Sequence, residues 1–268
     1  MEAAVDQSDY RTILIDHNNR VLTLTLNRPD HLNAVDEVMH EELSRVFSDA
    51  ARDKDSDIIV ITGSGRAFCA GGDIEWLQDG IDNPLSFERT AVEGKQIVFS
   101  LLDCEKPIVA KVNGPAIGLG ATLALFCDVI FAATEAKFAD PHVRVGLVAG
   151  DGGAVIWPQL IGYAKAKEYL MTGDPLIASD AAQIGLINYA VTPEKLDDTV
   201  AQFVLRLSRG PRQAIRWTKT TINIGLKQLA HSIMDVGLSY EMMSNRTLDH
   251  QEAINAFREK RKSNFVGH

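Results

Sequence analysis

The stretches Ala67-Phe68-Cys69-Ala70-Gly71-Gly72-Asp73-Ile74 and Asn113-Gly114-Pro115-Ala116-Ile117-Gly118-Leu119-Gly120 decide how this chain is read. Each follows a β-branched run, at 58–62 and 108–112, and precedes an apolar helical pattern. Each therefore offers unpaired backbone N–H groups at a helix start. Two such donors aimed at one point form an oxyanion hole, which stabilises negative charge as it develops on a carbonyl oxygen. Each donor contributes about 3 to 4 kcal/mol where its removal has been measured in enzymes. The paired turns point to an enzyme acting on a carbonyl compound.

Outward from these turns, strands and helices alternate. Segments 12–16 and 21–26 read as a hairpin around Asn18-Asn19, and the apolar residues of 35–50 fall at helical spacing with Asp36 in the first turn. A buried strand at 58–62 ends in Gly63-Ser64-Gly65. Residues 78–87, with Gly80, Asp82, Asn83 and Pro84, read as a mobile loop before a helix at 88–102. A strand at 108–112, the second turn, an apolar helix through 126 and a strand at 129–132 follow. The alternation repeats about every 40 to 50 residues, which argues for an α/β fold of stacked β-β-α turns, although no repeat is visible letter by letter. Beyond 191 only helices are read, at 196–209, 212–226, 229–245 and 249–262, the first stopped by Gly210-Pro211. The expected organisation is a core of residues 1–195 and a helical C-terminal module of residues 196–268.

The 268 residues are ample for a sizeable core, and 46% hydrophobic with 24% charged residues is ordinary for a globular protein. A net charge of −9 argues against a nucleic-acid partner, whose phosphates are held by Lys and Arg. Cys69, Cys104 and Cys127 show no Cys-x-x-Cys spacing and read as reduced structural thiols. The acidic beginning, Met1 to Asp6, lacks the basic and apolar regions of a secretory leader, and no apolar run is long enough to span a bilayer. The expected location is cytoplasmic.

Asn27-Arg28-Pro29, Leu32-Asn33-Ala34, Ile61-Thr62-Gly63, the two turns and Cys127-Asp128 resemble, in this order, the crotonase or enoyl-CoA hydratase/isomerase superfamily. Leu170-Met171-Thr172-Gly173, the run from Ala181 to Ile187 and the tail from Ala256 to Lys262 extend the resemblance over nearly the whole chain. It implies a crotonase-like spiral of β-β-α turns whose C-terminal helical module builds a homotrimer or a dimer of trimers. It also implies an acyl-CoA substrate, with CoA as part of that substrate and no separate cofactor. The amides of the hole would be those of Gly72 and Leu119. Leu119 stands where many relatives carry Gly, but a backbone donor survives a change of side chain. His31, Leu32, Ala70, Asp73, Ile74 and Thr122 would line the substrate site, with Lys262 and Phe265 reaching toward the adenine end. Glu75 stands where many hydratases have Lys, an acid near a phosphate path.

The side chains depart from the hydratase pattern. The two positions at which hydratases of this family carry glutamates hold Thr122 and His142 here. Asp140-Pro141-His142 and Gly150-Asp151-Gly152-Gly153, followed by Trp157-Pro158, resemble instead the carbon–carbon bond hydrolase branch typified by 6-oxocamphor hydrolase. An imidazole takes and gives a proton near neutrality, and Asp151, nine residues on, would return to it and fix its tautomer. The alternatives are that Asp151 caps the helical run at 154–161 and that His142 is a plain wall histidine. His40-Glu41-Glu42 lacks a second histidine at helical spacing and reads as a solvated helix face, and no metal site is read. Ser64 and Ser86 have no nucleophile-elbow context. Asp73 and Asp128 read as structural carboxylates, and Trp76, Trp157 and Trp217 as packing residues. Three functions stay open: an enolate-stabilising enzyme for acyl-CoA thioesters, a hydrolase of β-diketone or 3-oxoacyl compounds, and a non-catalytic binder of CoA esters.

Overall fold

Strands β1 (Ile13–Asn18) and β2 (Val21–Leu26) pair antiparallel, with Asn18 opposite Val21. The two residues between them, Asn19 and Arg20, take positive φ of 47° and 65°. That is the turn whose twist matches a two-residue hairpin. The computed structural model describes residues 5–268, so most of the acidic beginning lies outside the described residues. From β2 the sheet continues in parallel through β3 (Ile58–Gly63), β4 (Ile108–Val112), β6 (Val129–Ala133) and β9 (Tyr189–Val191), in the order β1-β2-β3-β4-β6-β9. A smaller sheet joins β5 (Ala116–Ile117), β7 (Lys137–Ala139) and β8 (Leu176–Ile177). Strand β3 is buried along its whole length, as expected of a parallel strand covered on both faces.

Helix α1 (Glu37–Arg52) begins where Asp36 accepts a hydrogen bond from the Met39 amide, and it buries Met39, Leu43, Val46, Phe47 and Ala50. The expectation of a solvated face at His40-Glu41-Glu42 fails, because α1 is covered on two sides. Glu42 accepts from the Arg11 and Thr12 amides at the root of β1, and His40 turns inward against Glu93.

The expected loop at 78–87 is also overturned. Helix α2 (Ile74–Asp82), capped by Asp73, is followed after Asn83 by α3 (Pro84–Asp103). Pro84 occupies the first helical turn, where its missing N–H costs nothing, so it starts a helix rather than breaking one. Gly80 permits close approach: a Cβ there would lie 3.1 Å from the Phe87 ring, and Asn245 donates to the Gly80 carbonyl.

Past α4 (Leu119–Leu125) comes α5 (Gly153–Thr172), interrupted at Gly162 by φ 75° and ψ 161°. The short α6 (Ala178–Gln183) precedes β9. The C-terminal helices are α7 (Pro193–Ser208), α8 (Arg212–Ser244) and α9 (Leu248–Arg258). The helices expected at 212–226 and 229–245 are thus one helix, since Lys227-Gln228 carries no stop signal. Helix α9 ends at Arg258, short of Lys262. Leu196, Val200 and Val204 of α7 and Ala230, Met234 and Leu238 of α8 join the same hydrophobic core as the sheet. Asp128 has a structural role, accepting from the Ile108 amide and pairing with Lys219 at 2.8 Å. The three cysteines are buried free thiols. No helix among the described residues is long and apolar enough to cross a membrane.

The two glycine turns are stitched together. A parallel bridge joins Cys69 to Ala116, with the Ile117 amide donating to the Cys69 carbonyl at 2.9 Å. Asn33 donates to the carbonyls of Ser64 and Ala67, holding the first turn against the 28–34 segment. A Cβ on Gly114 would lie 2.2 Å from the Arg66 carbonyl oxygen. We expect Gly114→Ala to cost about 1 to 3 kcal/mol through that overlap, read as a lowered urea midpoint. An unchanged midpoint would mean the turns are not clamped there.

Candidate active site

Three residues beyond the Cys69–Ala116 bridge, the first turn reaches Gly72 and the second reaches Leu119. Equal offsets from a parallel bridge bring the two amides to the same end of the paired segments. Val35 bonds to the residues on either side of Gly72, through its amide to the Gly71 carbonyl and its carbonyl to the Asp73 amide. Leu119 opens α4, behind Gly118 at φ 53°. Neither the Gly72 nor the Leu119 amide donates to an acceptor among the described residues, and both residues line a cavity of about 500 Å³. Gly71 and Gly118 let the turns touch: a Cβ on Gly118 would lie 3.8 Å from Gly71 Cα and 3.8 Å from His142 Cε1.

His31, Ala70, Asp73, Ile74, His142 and Asp151 line the same cavity. Leu32 does not, its backbone turning left-handed at φ 54°. Thr122 is buried behind the wall, its hydroxyl donating to Asp151 at 3.4 Å. Asp73 faces Arg28 at 3.3 Å while capping α2. Lys262 and Phe265 lie past α9 and do not reach the cavity of their own chain, whereas Phe257 does.

His142 sits in a short 3-10 turn (His142–Val145) after β7. Its Nδ1 is hydrogen-bonded to Asp140, not to Asp151. The tautomer-fixing partner is therefore two residues before the histidine, because β7 ends at Ala139 and the turn at Pro141 folds the imidazole back over the strand end. Asp151 instead faces Nε2, at 3.7 Å, and Glu241 faces it at 4.0 Å. Asp151 does not cap α5; that position is Gly152, with no side-chain cap.

One imidazole thus meets three carboxyl groups in a largely buried place. Burial pulls the His142 pKa down, but the charges of Asp140 and Asp151, the bond to Asp140 and the charge of Glu241 outweigh it and hold the pKa well above 6.5. Burial raises Asp151, with Asp140 adding to the rise and His142 opposing it. Burial likewise pushes Glu241 up to about 8 against the pull of His142. Like charges this close cannot all ionise, so the cluster binds and releases protons as a unit. Asp140 Oδ2 and Glu241 Oε2 are buried with no hydrogen-bond partner among the described residues. Asp140, His142 and Asp151 offer ligand atoms within 4.8 Å of one another, a set able to approach a cation. Here the Nδ1 position is taken up by the hydrogen bond to Asp140.

Sequence reasoning passed over Asp140 as an orienting group and Glu241 altogether. Asp140 was legible in the Asp-Pro-His triplet. Glu241 was not, since it arrives from α8 through a contact between glycines: a Cβ on Gly150 would lie 2.3 Å from the Gly237 carbonyl oxygen. Glu241 follows Gly237 by one helical turn. Ser244 accepts from the Val148 amide at 3.1 Å, and His250 bonds to the Val145 carbonyl, so α8 and α9 clamp the 142–152 segment. His40 and Trp76 also line the cavity, from α1 and α2.

A family profile described as Enoyl-CoA hydratase/isomerase matches residues 16–268. The chain is 33% identical to crotonyl-CoA hydratase of Syntrophomonas wolfei, over 96% of this chain and 98% of that one. It superposes with a TM-score of 0.87 and 38% identity on an enoyl-CoA hydratase/isomerase from Mycobacterium paratuberculosis, covering 92% and 99% of the two chains. It superposes with a TM-score of 0.82 and 27% identity on a β-diketone hydrolase from the cyanobacterium Anabaena, bound to (S)-3-oxocyclohexyl acetic acid, covering 89% and 96%.

The buried carboxyl groups set a pH dependence of stability. Glu241 keeps its proton in the folded chain up to about 8 but loses it near 4.5 when unfolded. Unfolding between these limits releases a proton, so stability falls as pH rises across the window; His142 adds the same sign above 6.5. Each proton contributes a slope of roughly 1.4 kcal/mol per pH unit. Urea denaturation at stepped pH should show the wild type losing stability from about pH 5 to 8 and Glu241→Gln flattening that loss. Parallel curves would contradict the assignment.

Proposed function

This chain belongs to the enoyl-CoA hydratase/isomerase family, and within it we propose a carbon–carbon bond hydrolase that cleaves a β-dicarbonyl compound with water. The observation that carries the reading is the imidazole of His142, braced by Asp140 and faced by Asp151 and Glu241, beside the Gly72 and Leu119 amides. It stands where hydratases of the family use a glutamate. The resemblance in fold to a solved β-diketone hydrolase supports it.

The chemistry follows from these groups. One carbonyl oxygen of the substrate rests between the two amides. A water at the Nε2 face of His142 gives a proton to the His142–Asp151–Glu241 cluster and bonds to the second carbonyl carbon. The bond from that carbon to the central carbon then breaks. Its electron pair passes into the first carbonyl as an enolate, whose oxygen bears its charge in the hole, where each donor supplies about 3 to 4 kcal/mol. The cluster returns the proton to the central carbon. The products are a carboxylic acid and a ketone, or a single open-chain keto acid from a cyclic diketone. Asp140 keeps the imidazole oriented and stabilises its protonated form, as a carboxylate does in nucleophile triads.

The second reading, enolate chemistry on an acyl-CoA thioester, is favoured by the kinship to crotonyl-CoA hydratase. It uses the same hole, but Glu75, exposed and paired with Arg258 at 2.6 Å, stands where many hydratases carry Lys. We further take the working form to be a cytoplasmic homotrimer or dimer of trimers. The exposed Trp217, Ile222, Ile224, Val236, Tyr240 and Met243 of α8 support association through that helix.

Incubation with cyclic 1,3-diketones, 3-oxoacyl-CoAs and enoyl-CoAs, with products identified by mass spectrometry, should give an open-chain keto acid that has gained one water. His142→Ala should lower kcat about 10²- to 10⁴-fold, and Asp140→Asn should lower kcat more than it raises KM. Hydration of crotonyl-CoA without diketone cleavage would replace this reading with the second. Stoichiometric CoA-ester binding without any product would replace both with a non-catalytic one.

A further inference from the structure

We propose that His40, held by Glu93, is a specificity-determining residue that grips a second oxygen function of the substrate inside the cavity. His40 lies near the start of α1 and is only 3% exposed, yet it forms part of the cavity wall. Its Nδ1 is 2.7 Å from Glu93 Oε2 on α3, and its ring packs against Trp76 of α2 with centroids 5.0 Å apart. Glu93 is itself held by Arg89 at 3.3 Å. One nitrogen is therefore engaged, and Trp76 packs against the ring.

The other nitrogen, Nε2, makes no hydrogen bond to a described residue, and it is not among the buried unpartnered atoms, so it keeps solvent access where the residue lines the cavity. The same cavity is lined by apolar groups, among them Leu77, Phe87 and Ala91. A polar atom open to a largely apolar cavity gains a fixed partner when a ligand there supplies one. The reaction proposed above does not account for it, since water, enolate and proton are all handled by the Gly72, Leu119 and His142 groups. With Nδ1–H given to Glu93, Nε2 accepts from an enol or hydroxyl, and with a second proton on the ring it donates to a carbonyl. Either way it selects oxygenated substrates over hydrocarbon ones of the same size. A site built to bond an oxygen function discriminates strongly against analogues that lack it.

The inference rests on this cavity being the substrate site, and its test does not depend on turnover. Binding of cyclohexane-1,3-dione and of cyclohexanone is measured by calorimetry on the full chain carrying His142→Ala, which slows hydrolysis. The dione should bind roughly 10-fold more tightly than the monoketone. Adding His40→Leu should reduce that preference to about 2-fold, and His40→Gln should retain part of it. Glu93→Gln, which keeps a hydrogen-bonding group beside Nδ1, should also weaken the preference, and it carries the test if His40→Leu does not fold. A folded His40→Leu or Glu93→Gln protein with an undiminished preference would overturn the proposal. A His40-dependent preference without diketone cleavage by the wild type would uphold it while sinking the hydrolase reading. Cleavage with a His40-independent preference would do the reverse.

Discussion

The bridge between Cys69 and Ala116 is the constraint from which the site follows. It fixes two strand-to-helix turns side by side and in register, so the amides three residues further on come to one cavity without any side chain directing them. Glycine at 71, 114 and 118 is the condition for this. At Gly71 and Gly118 the backbone takes positive φ, and at Gly114 a side chain would strike the Arg66 carbonyl. Donors fixed by the fold need no reorganisation when charge appears, which is the reason such a hole is effective.

Against this rigid electrophilic element stands a soft one. His142 and three carboxyl groups share a largely buried region, and burial raises the pKa of Asp151 and Glu241 while the charges of Asp140 first, then Asp151 and Glu241, raise that of the imidazole. The arrangement destabilises the folded chain at high pH. In return it holds protons near neutrality in the cavity that Gly72 and Leu119 also line, the state that general acid–base chemistry requires. The partners come from three different places: the end of β7, the loop before α5 and the far part of α8. Motion of α8 relative to the 142–152 segment would therefore change the proton affinity of the cluster as well as its shape.

The same logic explains why three local readings failed. Pro84 in segment 78–87 begins a helix because its neighbours give α3 an apolar face to pack against α1 and α8. His40 looked solvated because α1 alone shows only one apolar stripe, and its second covering, by α2 and α3, is invisible in the spacing. Lys227-Gln228 marks no boundary, as the packing of α8 runs straight through it.

By itself the sequence determined the alternation of strands and helices and the two glycine turns that precede helices, which are local facts written in residue type and spacing within a few tens of positions. Gly72 and Leu119 as the donor pair, and His142 at a position where the family carries a glutamate, are what the resemblance implied. Only the tertiary structure decided that Asp140 rather than Asp151 braces the imidazole, that Glu241 joins it, that Leu32 and the tail stay outside the cavity, and that His40 looks into it. Those outcomes depend on which helix crosses which loop, through contacts such as Gly150 against Gly237, and no periodicity along the chain encodes a meeting between residues 87 positions apart.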